Sequence, residues 1–557
     1  SNPELQGEMR KALRPVSTLL LPEIERKLVD EQLEKVQRNA AATAVADYAR
    51  DDSERLARLL PRATEEQFVI LYPAFERVVS PDNRAGLATQ VATLPSADME
   101  PVPRIAFGKQ RANAATTLLR LGEKEAALKV CDMTDDPEAL TQFLFACRPR
   151  GVPVGTLLAC LDLVSAAAPG QFKPQVKYAL LIALGEYPVE ELPAEERERR
   201  IEQLAGWYLN DPSSTVHGAA GWLLRQWGAT ARAEEVERTE VKYAPGREWY
   251  TEVVEVQPTA DAKGEFGLFP RKLPKQKIAM TFIVFPAGEY QIGSVAREPE
   301  AWPSDENRHT VKLTRAFALL DREITYRELI AFESFFLNTM RGNNEKPNMP
   351  GVGINWYLAV SYCRWLGTQH GLVEKEQCYA APDSPELKDL DREPHGAYTE
   401  YPQRWPVKLG QRGYRLPTEA EWEVAARSVG VVGEQGQVGR TAYGFGSDVN
   451  WLERFAWYEA NSGRRLHAGR ERIPGLRGLW DMHGNVSEWV HDFHEGWSME
   501  TQTDPVGPEI PALRIARGGS WWFNSSSSFA RCASRGRYPA ATGSSDRSFR
   551  LVRVPGS

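Results

Sequence analysis

The sequence predicts a multidomain chain of two dissimilar parts, an α domain followed by an α+β domain with much irregular structure. Three observations predict it. At 557 residues the chain exceeds what one hydrophobic core usually organises. Up to about residue 232, Ala, Leu, Glu and Arg dominate, and only Trp207, Trp222 and Trp227 of the sixteen tryptophans occur. Beyond that point short β-like runs, Gly/Pro turns and the remaining tryptophans take over. Residues 1–232 therefore read as a helical domain, 233–274 as a connector with the first β elements, and 275–557 as a second domain.

The helical part carries a repeat. Asp136-Pro137-Glu138, Lys173-Pro174-Gln175 and Asp211-Pro212-Ser213 each open an apolar-periodic helix. Proline suits a first helical turn, where its missing N–H has no partner to lose, and aspartate before it can cap. A period in the high thirties predicts stacked helical pairs, each unable to bury its apolar face alone. Asn39–Tyr48 and Asn113–Leu121 read as degenerate earlier units. The repeat resembles HEAT-type units; a non-repetitive bundle is the alternative.

After residue 240, Trp249–Val256 and Ile278–Phe285 predict strands. Asn355–Leu366 predicts an amphipathic helix, and Thr418 with Glu421 forms a capping box that predicts another. Gly478–Val490 predicts a polar turn running into a buried strand. Val295–His309, Asn343–Gly353 and Tyr379–Gly410 have no helix or strand period. Such a domain builds its core from aromatics and satisfies its backbone through turns and side chains.

Composition excludes several classes. A net charge of −7 gives no reason to expect nucleic acid as a partner, and no apolar run is long enough to span a bilayer. Ser1–Gln6 does not read as a secretory signal. The six cysteines are scattered without metal-ligand spacing, which favours buried thiols and the cytoplasm over a disulfide framework. His491 and His494 flank Asp492; a polar loop after a strand is preferred there to a metal site.

The last forty residues are the most informative. Arg517–Trp521, Arg531–Arg535 and Ser548–Arg553 form a frame around a Ser-, Gly- and aromatic-rich stretch without period. In order along the chain, GEYQIGS, N-x3-A-x2-YCRWL, YRLPTEAEWEVAAR, GLWDMHGNVSEW, RGGSW and SFRLVR resemble the formylglycine-generating-enzyme/sulfatase-modifying domain. The resemblance implies an elaborated C-type-lectin fold over about 275–553. The helical segment around Gly221–Gly228 is similar to repeats preceding this domain in planctomycete-type proteins. There an upstream kinase or other effector is common, so an effector domain or partner at the repeats is implied.

The oxidases of that family use two cysteines shortly after the Gly-Gly-Ser turn to bind copper, a task suited to soft sulfur. Here those positions fall on Phe523 and on Ser527 or Ser528, while Cys532 aligns with a framework Arg-Cys. No H-x-H pair exists for the related iron-dependent enzymes. The resemblance also implies a structural Ca2+ at Asn485 and Glu488, since hard oxygens suit that ion. The competing reading is a self-satisfied turn with Glu488 paired to an arginine. No other cofactor is expected.

Within the frame, the expected display set is Trp522, Phe523, Asn524, Ser526, Ser527, Ser528, Ser534, Gly536, Tyr538, Thr542, Ser544, Ser545, Asp546 and Arg547. Rigid aromatics with adaptable Ser, Gly and Asn are the chemistry of an antibody-like paratope. The segment is similar to the mutable C-terminal segment of diversity-generating-retroelement variable proteins, although tryptophan departs from the substitution set of such segments. The expected function is binding of a protein or glycan ligand, with an oxidase or other protein-modifying enzyme and a structural scaffold as alternatives.

Overall fold

The computed structural model describes residues 3–30, 32–96, 98–133, 136–259, 274–302, 304–342, 345–393, 399–427, 440–496, 500–522 and 527–556. The chain forms two compact units, Ser1–Met133 with Pro137–Ala194, and Thr134–Asp136 with Glu195–Ser557.

Among the described residues the regular structure of the first unit is all helical. Its termini are capped where short polar side chains precede an apolar run: Asp52 accepts from the Arg55 N–H, and Thr64 and Ser80 form capping boxes with Gln67 and Asn83. Phe68, Tyr72 and Phe75 on Glu65–Val78 are buried. The long helix Pro101–Arg120 approaches Glu138–Ala146 closely at Gly108, where an added Cβ would lie 2.8 Å from the Glu138 side chain. Pro137 and Pro174 stand at the entries of Glu138–Ala146 and Pro174–Leu184, as the repeat predicts.

The third repeat helix, Ser214–Gln226, lies in the second unit with Thr230–Glu237 and all but the first residue of Ala194–Asn210. The division thus falls at Ala194/Glu195 rather than near residue 232, and the cause is packing. Gly218 sits against Gly478, so that an added Cβ would come within 2.6 Å of the Gly478 Cα. His217 stacks on Trp249 at 3.7 Å, and the Trp249 indole donates to the Asp211 carbonyl. Glu248 receives the Ser214 N–H and both the Ser213 and Ser214 hydroxyls, capping the helix from outside it. Residues 233–259 therefore pack within this unit and carry its first strand, Trp249–Val256.

Among the described residues the second unit has eleven strands: β1 (Trp249–Val256), β2 (Gln276–Phe285), β3 (Gly288–Ile292), β4 (His309–Leu313), β5 (Phe317–Leu320), β6 (Ser487–Phe493), β7 (Gln502–Thr503), β8 (Arg514–Arg517), β9 (Gly536–Tyr538), β10 (Arg547–Phe549) and β11 (Val552–Arg553). They make three sheets, ordered β1-β2-β5-β11, β10-β6-β8-β9 and β3-β4-β7. The C-terminal phrase serves two of them. β10 pairs parallel with β6, and β11, beginning three residues after β10 ends, pairs antiparallel with β5.

The amphipathic helix is Trp356–Gln369, with Asn355 accepting from the Leu358 N–H as its cap. Thr418 and Glu421 close their capping box at 3.2 and 2.9 Å at the start of Glu419–Arg427. Trp249, Trp356, Trp405, Trp422, Trp480 and Trp489 are fully buried, so the core is aromatic as composition implies. All six cysteines are buried free thiols. No helix among the described residues is long and apolar enough to cross a membrane.

Candidate ligand-binding surface

The frame is built from buried arginines. Arg517, at the end of β8, donates to the carbonyls of Cys532, Ala533 and Ser534 at 2.7–2.9 Å and pairs with Glu423 at 2.6 Å. Burial opposes ionisation of Glu423, but Arg427 and Arg517 overrule it and hold the carboxyl down to about 2. Gly518 and Gly519 follow with φ of 97° and 70°. A Cβ on Gly519 would lie 2.9 Å from the Phe529 carbonyl oxygen, so this turn needs glycine for both conformation and clearance. Arg550 grips Glu488 and donates to the Leu320 and Trp480 carbonyls. Trp521 is pinned by its N–H to the Asn485 carbonyl and its indole to Ser545.

Of the expected display residues, Trp522, Thr542 and Ser545 are exposed, and Ser527, Gly536, Tyr538 and Ser544 are partly exposed. Phe523, Asn524 and Ser526 lie outside the described residues. Four assignments are corrected: Ser528, Ser534, Asp546 and Arg547 are buried. Asp546 accepts from the hydroxyls of Ser520 and Ser544, and Arg547 lies 3.4 Å over the Tyr538 ring and 4.7 Å from that of Trp489. These polar side chains brace the surface from below. Sequence reasoning also passed over Phe529, which is exposed inside the frame, and Trp302, whose ring lies 6.5 Å from it. An isolated tryptophan in a polar, aperiodic loop was the available signal for Trp302.

Cys532 is completely buried, and its thiol is pushed up to about 12 by desolvation, which makes it a poor thiolate. The Asn485–Glu488 pair does not fit a cation. Glu488 has both oxygens committed to Arg550 and one also to the Trp422 indole at 2.7 Å, while the Asn485 carboxamide oxygen accepts from the His467 N–H. In this arrangement the side chains of the turn are satisfied by protein partners. His491 and His494 are separately engaged, by the Tyr379 hydroxyl at 3.2 Å and by Asp305 at 2.9 Å. Among the described residues no group of three or more His, Cys, Asp or Glu side chains is arranged to hold a metal.

A cavity of about 360 Å3 is lined in part by Glu419, Asp492, Gln502 and the frame residue Arg535. Arg535 holds Glu419 through two bonds at 2.8 and 2.9 Å, and the Glu419 N–H donates to Asp492. Burial, reinforced by Glu419, pushes Asp492 up to about 8.

The family described as a sulfatase-modifying factor enzyme 1-like domain, FGE-sulfatase, matches residues 268–555. A formylglycine-generating enzyme of Thermomonospora curvata is 26% identical over 286 residues, covering 45% of this chain and 86% of that enzyme. The serine/threonine-protein kinase Pkn1 of Chlamydia trachomatis is 25% identical over 343 residues, 59% of this chain and 42% of that protein. Among solved structures, Treponema denticola variable protein 1 aligns with a TM-score of 0.40 and 25% identity, over 50% of this chain and 96% of that one.

Proposed function

This chain belongs to the sulfatase-modifying factor enzyme 1-like family through residues 268–555, and from that premise we propose that it is a binding protein whose family frame displays a ligand-contacting surface. One observation carries the reading: the frame is braced by buried arginines, yet among the described residues it exposes Trp522, Phe529, Thr542 and Ser545 rather than a reactive group. Large rigid aromatics beside small hydroxyls supply contact area and adaptable hydrogen bonds at low entropic cost. The chemistry of a copper oxidase is unsupported. Phe523 and either Ser527 or Ser528 stand where that enzyme class has its thiolates, and Cys532 is buried with a raised pKa. The ligand is a protein or a glycan, and the helical unit serves as a docking surface for an effector, a role compatible with the similarity to chlamydial kinases.

The test is a quantitative pull-down comparing the full chain with a Trp522→Ala/Thr542→Ala/Ser545→Ala variant. All three side chains are at the surface, so the variant is expected to fold. Loss of a discrete set of captured molecules is the expected result. An unchanged capture profile would contradict the reading, and oxygen consumption with copper and a cysteine-containing peptide would replace it with an oxidase.

A further inference from the structure

A second loop, more than two hundred residues earlier in the chain, is clamped to the framed segment. It runs from Ser294 to Glu306 between β3 and β4. Arg531, itself buried, pairs with Glu298 and Glu306 at 2.8 Å and donates to the Glu300 carbonyl at 2.9 Å. Asp305 is held by Arg535 at 3.1 Å and by Arg537 at 3.4 Å. The Glu300 carboxylate accepts the Ser527 hydroxyl at 2.8 Å.

This loop is also conformationally committed. Arg297 and Glu300 both adopt left-handed backbone, φ 59° and 60°, which residues with a Cβ rarely enter without compensation nearby. The Trp302 carbonyl accepts from the Asp305 and Glu306 N–H groups at 2.9 and 3.0 Å. Yet Trp302 is 54% exposed, beside a 38% exposed Phe529. Tryptophan is enriched among interface anchors, and with its backbone already fixed only the freedom of the side chain is lost when a partner covers it.

We propose that Trp302, Phe529 and Glu300 form a fixed anchor in the binding surface, and that the partner is a protein segment presenting an apolar side chain next to a lysine or arginine. The inference rests on the binding reading above. Two features favour protein over glycan. The Trp302 and Phe529 rings meet at 58°, which makes a notch for an inserted side chain rather than one flat platform for a sugar ring. The carboxylate at its edge, Glu300, calls for a cation.

The test pans the immobilised full chain against a random twelve-residue peptide display library and, in parallel, a glycan array. The best binders are then titrated against wild type, Trp302→Ala, Glu300→Gln and Trp522→Ala. Expected are peptides enriched in an aromatic or aliphatic residue beside Lys or Arg, weakened roughly tenfold or more by Trp302→Ala. Glu300→Gln should weaken them less and flatten their salt dependence. Unchanged melting of Trp302→Ala keeps the comparison clean, because the ring lies outside the core clusters; a lowered melting temperature would assign Trp302 a structural role instead and overturn the anchor. Binders sensitive to Trp522→Ala but not to Trp302→Ala would overturn the inference and leave the binding reading standing. Enrichment of glycans alone would overturn the assigned partner. Absence of binders of either kind would overturn both.

Discussion

Arg531 has almost no contact with water but two carboxylates within ion-pair distance, so its charge is affordable only in this setting. Replacing it with methionine leaves Glu298 and Glu306 buried and unpaired. The expected cost is about 3–5 kcal/mol, read by denaturant unfolding, with part of it recovered when both glutamates become glutamine. Asp492 gives a pH test. Its folded value, about 8, lies above the ordinary carboxylate range, so the folded chain holds the proton more tightly than the unfolded one. Its contribution to stability is complete below about pH 4 and is lost as pH rises through about 8. Asp492→Asn should therefore flatten the decline in melting temperature between about pH 5 and pH 8; an identical decline in the variant would refute the assignment. Which polar residues face water was not legible at this scale. Asp546 and Arg547 have the composition of a surface loop, but a hydroxyl pair and a tyrosine ring draw them inward.

Elements differ in how plainly the sequence announces them. The helix Glu419–Arg427 was legible because Thr418 and Glu421 satisfy each other's backbone at a set spacing. The same signal, Thr325 with Glu328, marks the helix Tyr326–Phe332, and its shortness hid it among aromatic residues. β7, β10 and β11 are two or three residues long, too short for a period-two pattern, and only long-range pairing reveals them. Two glycines test the packing between elements. Gly519→Ala forces a left-handed alanine against the Phe529 carbonyl, and about 1–3 kcal/mol of destabilisation is expected, with faster hydrogen exchange across 517–535. Gly478→Ala drives a methyl into the Ser214 carbonyl at φ 79°, so exchange should rise in the helix Ser214–Gln226. Unaltered exchange in either case would mean that the close approach is not required.

For the whole molecule, composition located the change from helical to mixed structure but not the division into units. The repeat pattern continues through Pro212, yet the helix that it opens is capped by Glu248 and packed on Gly478. A fragment of residues 195–557 is thus expected to unfold cooperatively, whereas one of 233–557 should melt lower, having lost the cover over Trp249. Equal melting temperatures would contradict this. The family was legible because its phrases supply buried packing residues and buried ion pairs such as Arg415–Glu421, Arg517–Glu423 and Arg550–Glu488. The function was less so, because the displayed residues obey no packing rule. The most direct measurement is site-specific photocrosslinking from positions 522 and 545 of the full chain, with Glu386, an exposed residue outside the frame, as the control position. Discrete adducts from 522 and 545 that are absent at 386 are expected; no adducts, or the same adducts from all three positions, would contradict a ligand-binding surface within the frame.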